Sequence, residues 1–207
     1  EMSRGLGDVY KRQVYRRLQP ILDNLDSIGQ YQYHLLKYYI EHYRMQKYKP
    51  NAGYVQFLFN DMCPQTFYGI YDYWGLPKKG LQAVLESNMP VGIFLKFKDK
   101  LDAIYAVNDY SCALGICRVG YSITDETGKV VAEDAKDINI KEDSLTKLWE
   151  FDGTIHSGSV YNVALWIEQD GKLLAQNGYH DVFYMPQHTP GHPTYMSHET
   201  GCRIYWA

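Results

Sequence analysis

Short apolar runs, several of them alternating with polar residues, follow one another through the second half of the chain. They read "VGIFLKF" (91–97), "LDAIYAVND" (101–109), "CRVGYSITDETGKVVAEDAKDI" (117–138), "VYNVALWIEQDGKLLAQNGY" (160–179) and "DVFYM" (181–185). The turn sequences Asp125–Gly128 and Gln169–Gly171 each divide one run into two, as in a β-hairpin. Short strands at this spacing predict an antiparallel β-sandwich that begins near residue 90.

The first half has a different pattern, in which helical and strand-like segments alternate. A stripe at helical spacing predicts a helix over 30–47, and it is formed by Tyr31, Leu35, Leu36, Tyr39, Ile40 and Tyr43. The continuous apolar run "GYVQFLFND" (53–61) predicts a strand buried on both faces, as in a parallel sheet or a barrel. The segment "GLPKKGLQAVLESN" (75–88) predicts a short second helix. This alternation of helix and strand is typical of an α/β fold, but the segment is too short to form a closed barrel.

Composition and charge narrow the function classes. The formal net charge is −3, with 24 acidic and 21 basic side chains, so nothing favours binding to nucleic acid or to an anionic membrane. No apolar run reaches the ~20 residues of a membrane span. The 20 tyrosines suit sugar contacts, but they are spread along the whole chain and equally suit the surface of a β-sandwich.

The cysteines and histidines do not form a recognisable metal site. Cys63, Cys112, Cys117 and Cys202 lack paired C-x-x-C spacing, and they leave open whether the chain has disulfides. The tail carries three histidines and a glutamate, at a spacing that matches no structural zinc pattern: His188, His192, His198 and Glu199. We therefore expect neither a metal nor a cofactor, and the compartment is not indicated.

The N-terminal segment "SRGLGDVYKRQ" (3–13) has no hydrophobic period. We interpret it as the translation of a sequencing-library transposase adaptor, in which GATGTGTATAAGAGACAG decodes as Asp-Val-Tyr-Lys-Arg-Gln. We expect residues 1–13 to be adaptor-derived and the native chain to begin near Val14, inside a larger gene.

Three short motifs occur in order along the chain. The first is N-D-x-x-P, with Asn60, Asp61 and Pro64. The second is D-Y-x-G-x-P-K, and its residues are Asp72, Tyr73, Gly75, Pro77 and Lys78. The third is the pair Asn108–Asp109, which ends an early sandwich strand. In this combination the chain resembles the C-terminal end of glycoside hydrolase family 2 enzymes, in the β-mannosidase and exo-β-glucosaminidase branch.

The resemblance implies a division into two domains. Residues 14–89 would be the end of a (β/α)8 barrel, and residues 90–207 an immunoglobulin-like β-sandwich with a C-terminal tail. The parent enzyme would be a retaining exo-β-glycosidase that hydrolyses terminal β-linked sugars with two carboxyls about 5–5.5 Å apart. In the family these are glutamates on the fourth and seventh barrel strands, ahead of this segment. We therefore expect the chain alone to be inactive.

The resemblance also implies which residues contact the substrate: Phe57, Asn60 and Asp61. Phe57 and Cys63 stand where the family has tryptophans, which changes the aromatic wall of the sugar site. For Asp61 a second role stays open, because a carboxylate after a strand often fixes a loop by accepting backbone N–H bonds. Asp72 and Lys78 are expected to anchor the joint between barrel and sandwich.

Two other functions remain open alongside the enzyme. The chain could be a non-catalytic carbohydrate-binding module, or a sandwich with a purely structural role. The expected partner of the full-length protein is an oligosaccharide or β-glycoside, with no nucleic acid and no membrane.

Overall fold

The computed structural model describes residues 25–65, 68–98, 100–155 and 159–182. Within these ranges the chain forms two helices and seven strands. The helices are α1 (Leu25–Arg44) and α2 (Lys79–Ser87). The strands are β1 (Val91–Phe97), β2 (Leu101–Asn108), β3 (Gly115–Asp125), β4 (Val130–Ile140), β5 (Ser144–Glu150), β6 (Tyr161–Gln169) and β7 (Lys172–Val182).

The strands form two antiparallel sheets that pack face to face, which confirms the predicted β-sandwich. One sheet has the order β1-β2-β5 and the other the order β4-β3-β6-β7. Ile104 from the first sheet and Leu165 and Ile167 from the second belong to one buried cluster between them. In a constant-type immunoglobulin sandwich the fourth strand lies on the first sheet, whereas here β4 pairs with β3 on the second.

The two predicted hairpins are present, and one strand was not predicted. Gly128 and Gly171 lie in the β3–β4 and β6–β7 turns with φ of 83° and 72°, a region in which glycine is favoured. Strand β5 (SLTKLWE) pairs with β2, although its sequence has too few apolar residues to stand out. The run at 181–185 enters β7 as far as Val182, and the remainder lies outside the described residues.

Side chains close the sandwich where the two sheets leave their edge strands open. On one side the hydroxyl of Tyr179 accepts a bond from the Leu95 N–H at 3.0 Å, and Asn177 Nδ2 donates to the Ile93 carbonyl at 2.9 Å. These are the backbone groups of β1 that point away from β2. On the other side the ammonium group of Lys136, on β4, donates to the Leu148 carbonyl of β5. These contacts pair part of the open backbone of β1 and β5 without another strand.

Helix α1 is confirmed, but it buries only part of the predicted apolar stripe, namely Ile40. Tyr43 is exposed, whereas Gln32, Lys37 and Glu41 are buried. The reason is that α1 packs against α2 and the sandwich, where partners for polar side chains are available. Against α2 the contact is close, because a Cβ on Gly80 would lie 2.9 Å from Leu36 Cδ1. No helix among the described residues is long and apolar enough to cross a membrane.

The predicted strand at 53–61 is wrong as a regular buried strand. Its one ladder contact is an isolated parallel bridge between Asn60 and Tyr71. Val55 is 92% exposed and Phe57 is 87% exposed. Within the part of the chain that the structure describes, no second strand runs along this segment, so Val55 and Phe57 stay largely uncovered, although the Phe59 ring contacts that of Tyr71. The predicted barrel of residues 14–89 stays a prediction.

Candidate functional site

The segment from Phe59 to Lys78, called the 59–78 loop below, folds back on itself. The Asp61 N–H donates to the Tyr71 carbonyl at 3.1 Å, and the Tyr71 N–H donates to the Phe59 carbonyl at 3.0 Å. The Lys78 N–H donates to the Ile70 carbonyl at 2.9 Å. These bonds bring the first two sequence motifs into one small structure that leads into α2.

Asp61 lies buried at the centre of this loop. Its Oδ1 accepts bonds from the Gly69 N–H at 2.7 Å and from Gln65 Nε2 at 3.1 Å, and its Oδ2 pairs with the ammonium group of Lys78. Burial by itself would raise the pKa of Asp61, but the bonds from Lys78, Gly69 and Gln65 outweigh it and lower the pKa. Both oxygens are held by internal donors, which is the geometry of a loop-fixing carboxylate.

Gly69 is required by the same arrangement, and sequence reasoning missed it. A Cβ at this position would lie 2.6 Å from Asp61 Oδ1 and 2.7 Å from both the Asp61 nitrogen and the Tyr71 carbonyl oxygen. Two of these atoms are backbone and cannot move aside cheaply. A glycine between aromatic residues in "TFYGIYDY" was the available signal for such a close backbone approach.

The three predicted substrate-binding residues have different environments. Phe57 and Asn60 lie on the surface, whereas Asp61 lies in the interior. The Asn60 side chain donates only a long bond of 3.5 Å, to the Asp61 carbonyl. Asp61 therefore fixes the backbone next to Asn60. Its carboxylate, however, is buried and does not lie on the surface that exposes Phe57 and Asn60.

In and beside the loop, eight of the large apolar side chains that the structure describes face solvent. We call this the aromatic surface, and it comprises Val55, Phe57, Phe59, Met62, Tyr68, Tyr73, Trp74 and Leu76. Asp72 holds the turn that presents the last of them, since its Oδ1 accepts bonds from the N–H groups of Trp74 at 2.9 Å and Leu76 at 2.8 Å. Where exposed apolar side chains are contiguous, they are typical of an interaction surface.

A cluster of charges joins the end of α1 to the sandwich. The carboxylate of Asp109, from the third motif, binds Arg44 at 2.6 Å and Lys47 at 2.7 Å. Lys47 also binds Asp143 at 2.6 Å, and this ammonium lowers the pKa of Asp143. Asn108 donates to two loop carbonyls, those of Cys112 and Lys141. The Asn-Asp motif therefore anchors the helical segment to the sandwich.

A second connection, called the buried polar cluster below, consists of Lys37, Glu41, Asn177 and Tyr179. Glu41 accepts bonds from the Tyr179 hydroxyl at 2.6 Å and from Asn177 Nδ2 at 2.9 Å. Lys37 lies 3.5 Å from Glu41, donates to the Asn177 side chain, and lies over the Tyr179 ring at 4.9 Å. Burial, followed by the nearby Glu41 charge, raises the pKa of Tyr179 well above its usual value. Every charge in this cluster is compensated by a neighbour.

The chemistry that these groups support is structural. Retaining hydrolysis uses one carboxylate as nucleophile and a protonated one as acid, whereas Asp61 and Glu41 are each held by internal donors. Among the residues described, no group of three metal-ligating side chains is present, and the histidine-rich tail lies outside them. Within the same ranges Cys63, Cys112 and Cys117 are free thiols.

Comparison with known proteins gives relatives in structure alone. No family model matches the sequence, and no curated protein matches it. The exo-chitosanase CsxA of Amycolatopsis orientalis, also described as an exo-β-D-glucosaminidase, superposes with a TM-score of 0.63 at 13% identity. The β-D-mannosidase of Dictyoglomus thermophilum superposes with a TM-score of 0.60 at 24% identity.

These matches cover 72% and 70% of this chain, respectively, and 18% of each of the two enzymes. The chain thus spans less than a fifth of their length. At such identities the likeness establishes a shared fold for the matched part.

Proposed function

We propose that this chain is the C-terminal part of a glycoside hydrolase family 2 exo-β-glycosidase of the β-mannosidase or exo-β-glucosaminidase kind. The observation that carries the proposal is an agreement between independent findings. The motifs resemble this branch, and the fold matches solved structures of an exo-β-D-glucosaminidase and a β-D-mannosidase. In this assignment the bond-breaking carboxyls belong to the upstream part of the parent protein.

Within that enzyme, residues 14–89 complete the catalytic barrel and residues 90–207 form the sandwich behind it. Apart from Phe57, the aromatic surface packs against the preceding barrel elements, which supply the missing neighbour of the 53–61 segment. Phe57 and Asn60 contact the sugar, and Asp61 holds the adjacent backbone in place through Gly69 and Lys78. The charge cluster and the buried polar cluster hold the sandwich as a rigid brace.

The proposal is tested on the gene that contains this coding segment. The full-length protein should hydrolyse p-nitrophenyl β-mannoside or β-glucosaminide, and the present chain should release no nitrophenol above background. Replacing either glutamate at the ends of the fourth and seventh barrel strands by Gln should abolish turnover. Turnover by the chain alone that is lost in Asp61→Asn would contradict the assignment.

A non-catalytic sandwich module is the second candidate. It is favoured by the buried core cluster of the sandwich, which contains none of the described residues of the 59–78 loop. The upstream sequence separates the two functions. A barrel carrying an Asn-Glu pair and a later Glu at strand ends supports the enzyme, and a linker or another sandwich supports the module.

A further inference from the structure

A wide cleft lies between α1 and the side of the sandwich formed by β1 and β7. Its volume is about 860 Å³, within the range of small-ligand sites, about 300–1,000 Å³. The buried polar cluster lines it, with the Lys37 and Glu41 side chains 9% and 3% exposed. The cleft differs from an ordinary surface groove because it is bordered by charged side chains that are themselves buried.

Aromatic side chains are among those that line the cleft. Trp166 extends from the outer face of β6, where its indole ring covers Gly120 on β3 and occupies the place that a Cβ would need. Tyr33 comes from α1, and its hydroxyl donates to Glu86 at 2.5 Å. The rings of Trp166 and Tyr33 are thereby held in place by their surroundings. A ring that is already fixed loses little further conformational entropy when a ligand stacks on it.

The charges in the cleft indicate what kind of ligand fits. The formal charges of its lysines and glutamates cancel, because Lys37 and Lys98 are matched by Glu41 and Glu86. The amide of Gln176 and the imidazole of His180 are exposed on β7 and supply both donors and acceptors. The cleft therefore has no excess charge to attract a charged ligand. A neutral polyhydroxyl compound can contact the rings with its apolar faces and the polar groups with its hydroxyls.

We propose that this cleft binds a short neutral oligosaccharide. The apolar faces of the sugar rings stack on Trp166 and Tyr33, and sugar hydroxyls exchange hydrogen bonds with Gln176 and His180. The choice of a carbohydrate, rather than another neutral polyol, rests on the proposed function.

The first test is an NMR titration of the complete ¹⁵N-labelled chain with three trisaccharides that differ in charge. These are neutral β-1,4-mannotriose, cationic glucosamine trimer and an anionic trisaccharide of glucuronate. We expect mannotriose to shift the Trp166 indole N–H and the Gln176 side-chain amide, with a Kd of about 1 mM or lower. The charged sugars should bind at least about tenfold more weakly.

The second test fills the cleft with a side chain. Gly178 lies between Gln176 and His180 on β7, has no positive φ, and a Cβ there would meet only His180 Nε2, at 3.9 Å. Gly178→Leu should therefore fold normally and weaken mannotriose binding at least about tenfold. The matched control is Gly53→Leu, since a Cβ at Gly53 meets nothing within 4 Å. If Gly178→Leu fails to fold, Gln176→Ala replaces it with the same expectation.

Four results would overturn the proposal. They are no mannotriose-induced shifts, shifts confined to the aromatic surface, tighter binding of a charged trimer, and undiminished binding by the cleft variant. Because this assay measures binding without hydrolysis, the two proposals fail separately. An inactive full-length protein overturns the enzyme assignment alone, and an active parent whose C-terminal chain binds no sugar overturns the cleft alone.

Discussion

The sandwich and the 53–61 segment carry apolar sequences of similar strength, yet one buries them and the other exposes them. In β2 and β6, Ile104 and Leu165 meet a facing sheet and neighbouring strands on both sides. In the 53–61 segment, Val55 and Phe57 face solvent. The apolar pattern of a segment indicates which of its side chains can be buried. Whether it becomes a strand depends on a neighbour that provides both the ladder and the apolar face.

The largest expected effect is a direct test of this difference. Ile167→Ala removes side-chain atoms from the fully buried sandwich core and should cost about 2–5 kcal/mol of unfolding free energy. Phe57→Ala truncates a side chain that is larger than that of Ile167 but exposed to solvent. It should therefore change the free energy of unfolding by less than about 0.5 kcal/mol. Urea denaturation followed by circular dichroism measures both. A comparable loss in the two variants would show that Phe57 is covered in solution.

A second substitution addresses how the sandwich edge is closed. Tyr179→Phe removes the hydroxyl that accepts from the Leu95 N–H and donates to buried Glu41, so it should cost about 1–3 kcal/mol. The control, Tyr110→Phe, removes an exposed hydroxyl and should be nearly neutral. Hydrogen exchange at the Leu95 amide should speed up only in the first variant. Unchanged protection would mean that the edge of β1 is closed in another way.

The 59–78 loop is held by its own internal hydrogen bonds, and disrupting them should leave the sandwich unaffected. Gly69→Ala places a Cβ against the backbone of Asp61 and Tyr71, and we expect a local cost of about 1–3 kcal/mol. Amide exchange should rise at Asp61, Tyr71 and Lys78, while the sandwich amides stay as protected as before. Gly53→Ala, where a Cβ has open space, is the matched control. Equal deprotection of both regions would show that they unfold together.

The sequence allowed the sandwich to be predicted because alternation and turn residues are local signals. Both hairpin turns and the strand that begins at Val91 follow from a few neighbouring residues. By contrast, β5 has little alternation of its own, and its position depends on pairing with β2. The prediction of a barrel-like strand at 53–61 rests on its continuous apolar run and on the family resemblance, and neither gives evidence of neighbouring strands within this chain.

The candidate site was predictable only in part, for a related reason. Motif resemblance located Asp61 and Lys78 but not their ion pair, which joins residues 17 positions apart. Glu41 and Lys37 had the pattern of a polar helix face. Their partners Asn177 and Tyr179 lie about 140 residues further along the chain. No local spacing encodes contacts at that separation, so the buried polar cluster became visible only in the folded chain.

The smallest expected effect is a pH dependence that should separate the loop from the sandwich. The pKa of Asp61 is lowered in the folded chain, so ionised Asp61 stabilises the loop above its unfolded pKa of about 3.9. That contribution should be lost as the pH falls through the lower, folded pKa. NMR spectra recorded through this range should show the Gly69 amide, which donates to Asp61, losing protection before the sandwich amides do. In Asp61→Asn this step should disappear while the acid unfolding of the sandwich is unchanged. A Gly69 transition at the ordinary carboxyl pKa would mean that Lys78 does not hold the carboxylate in solution.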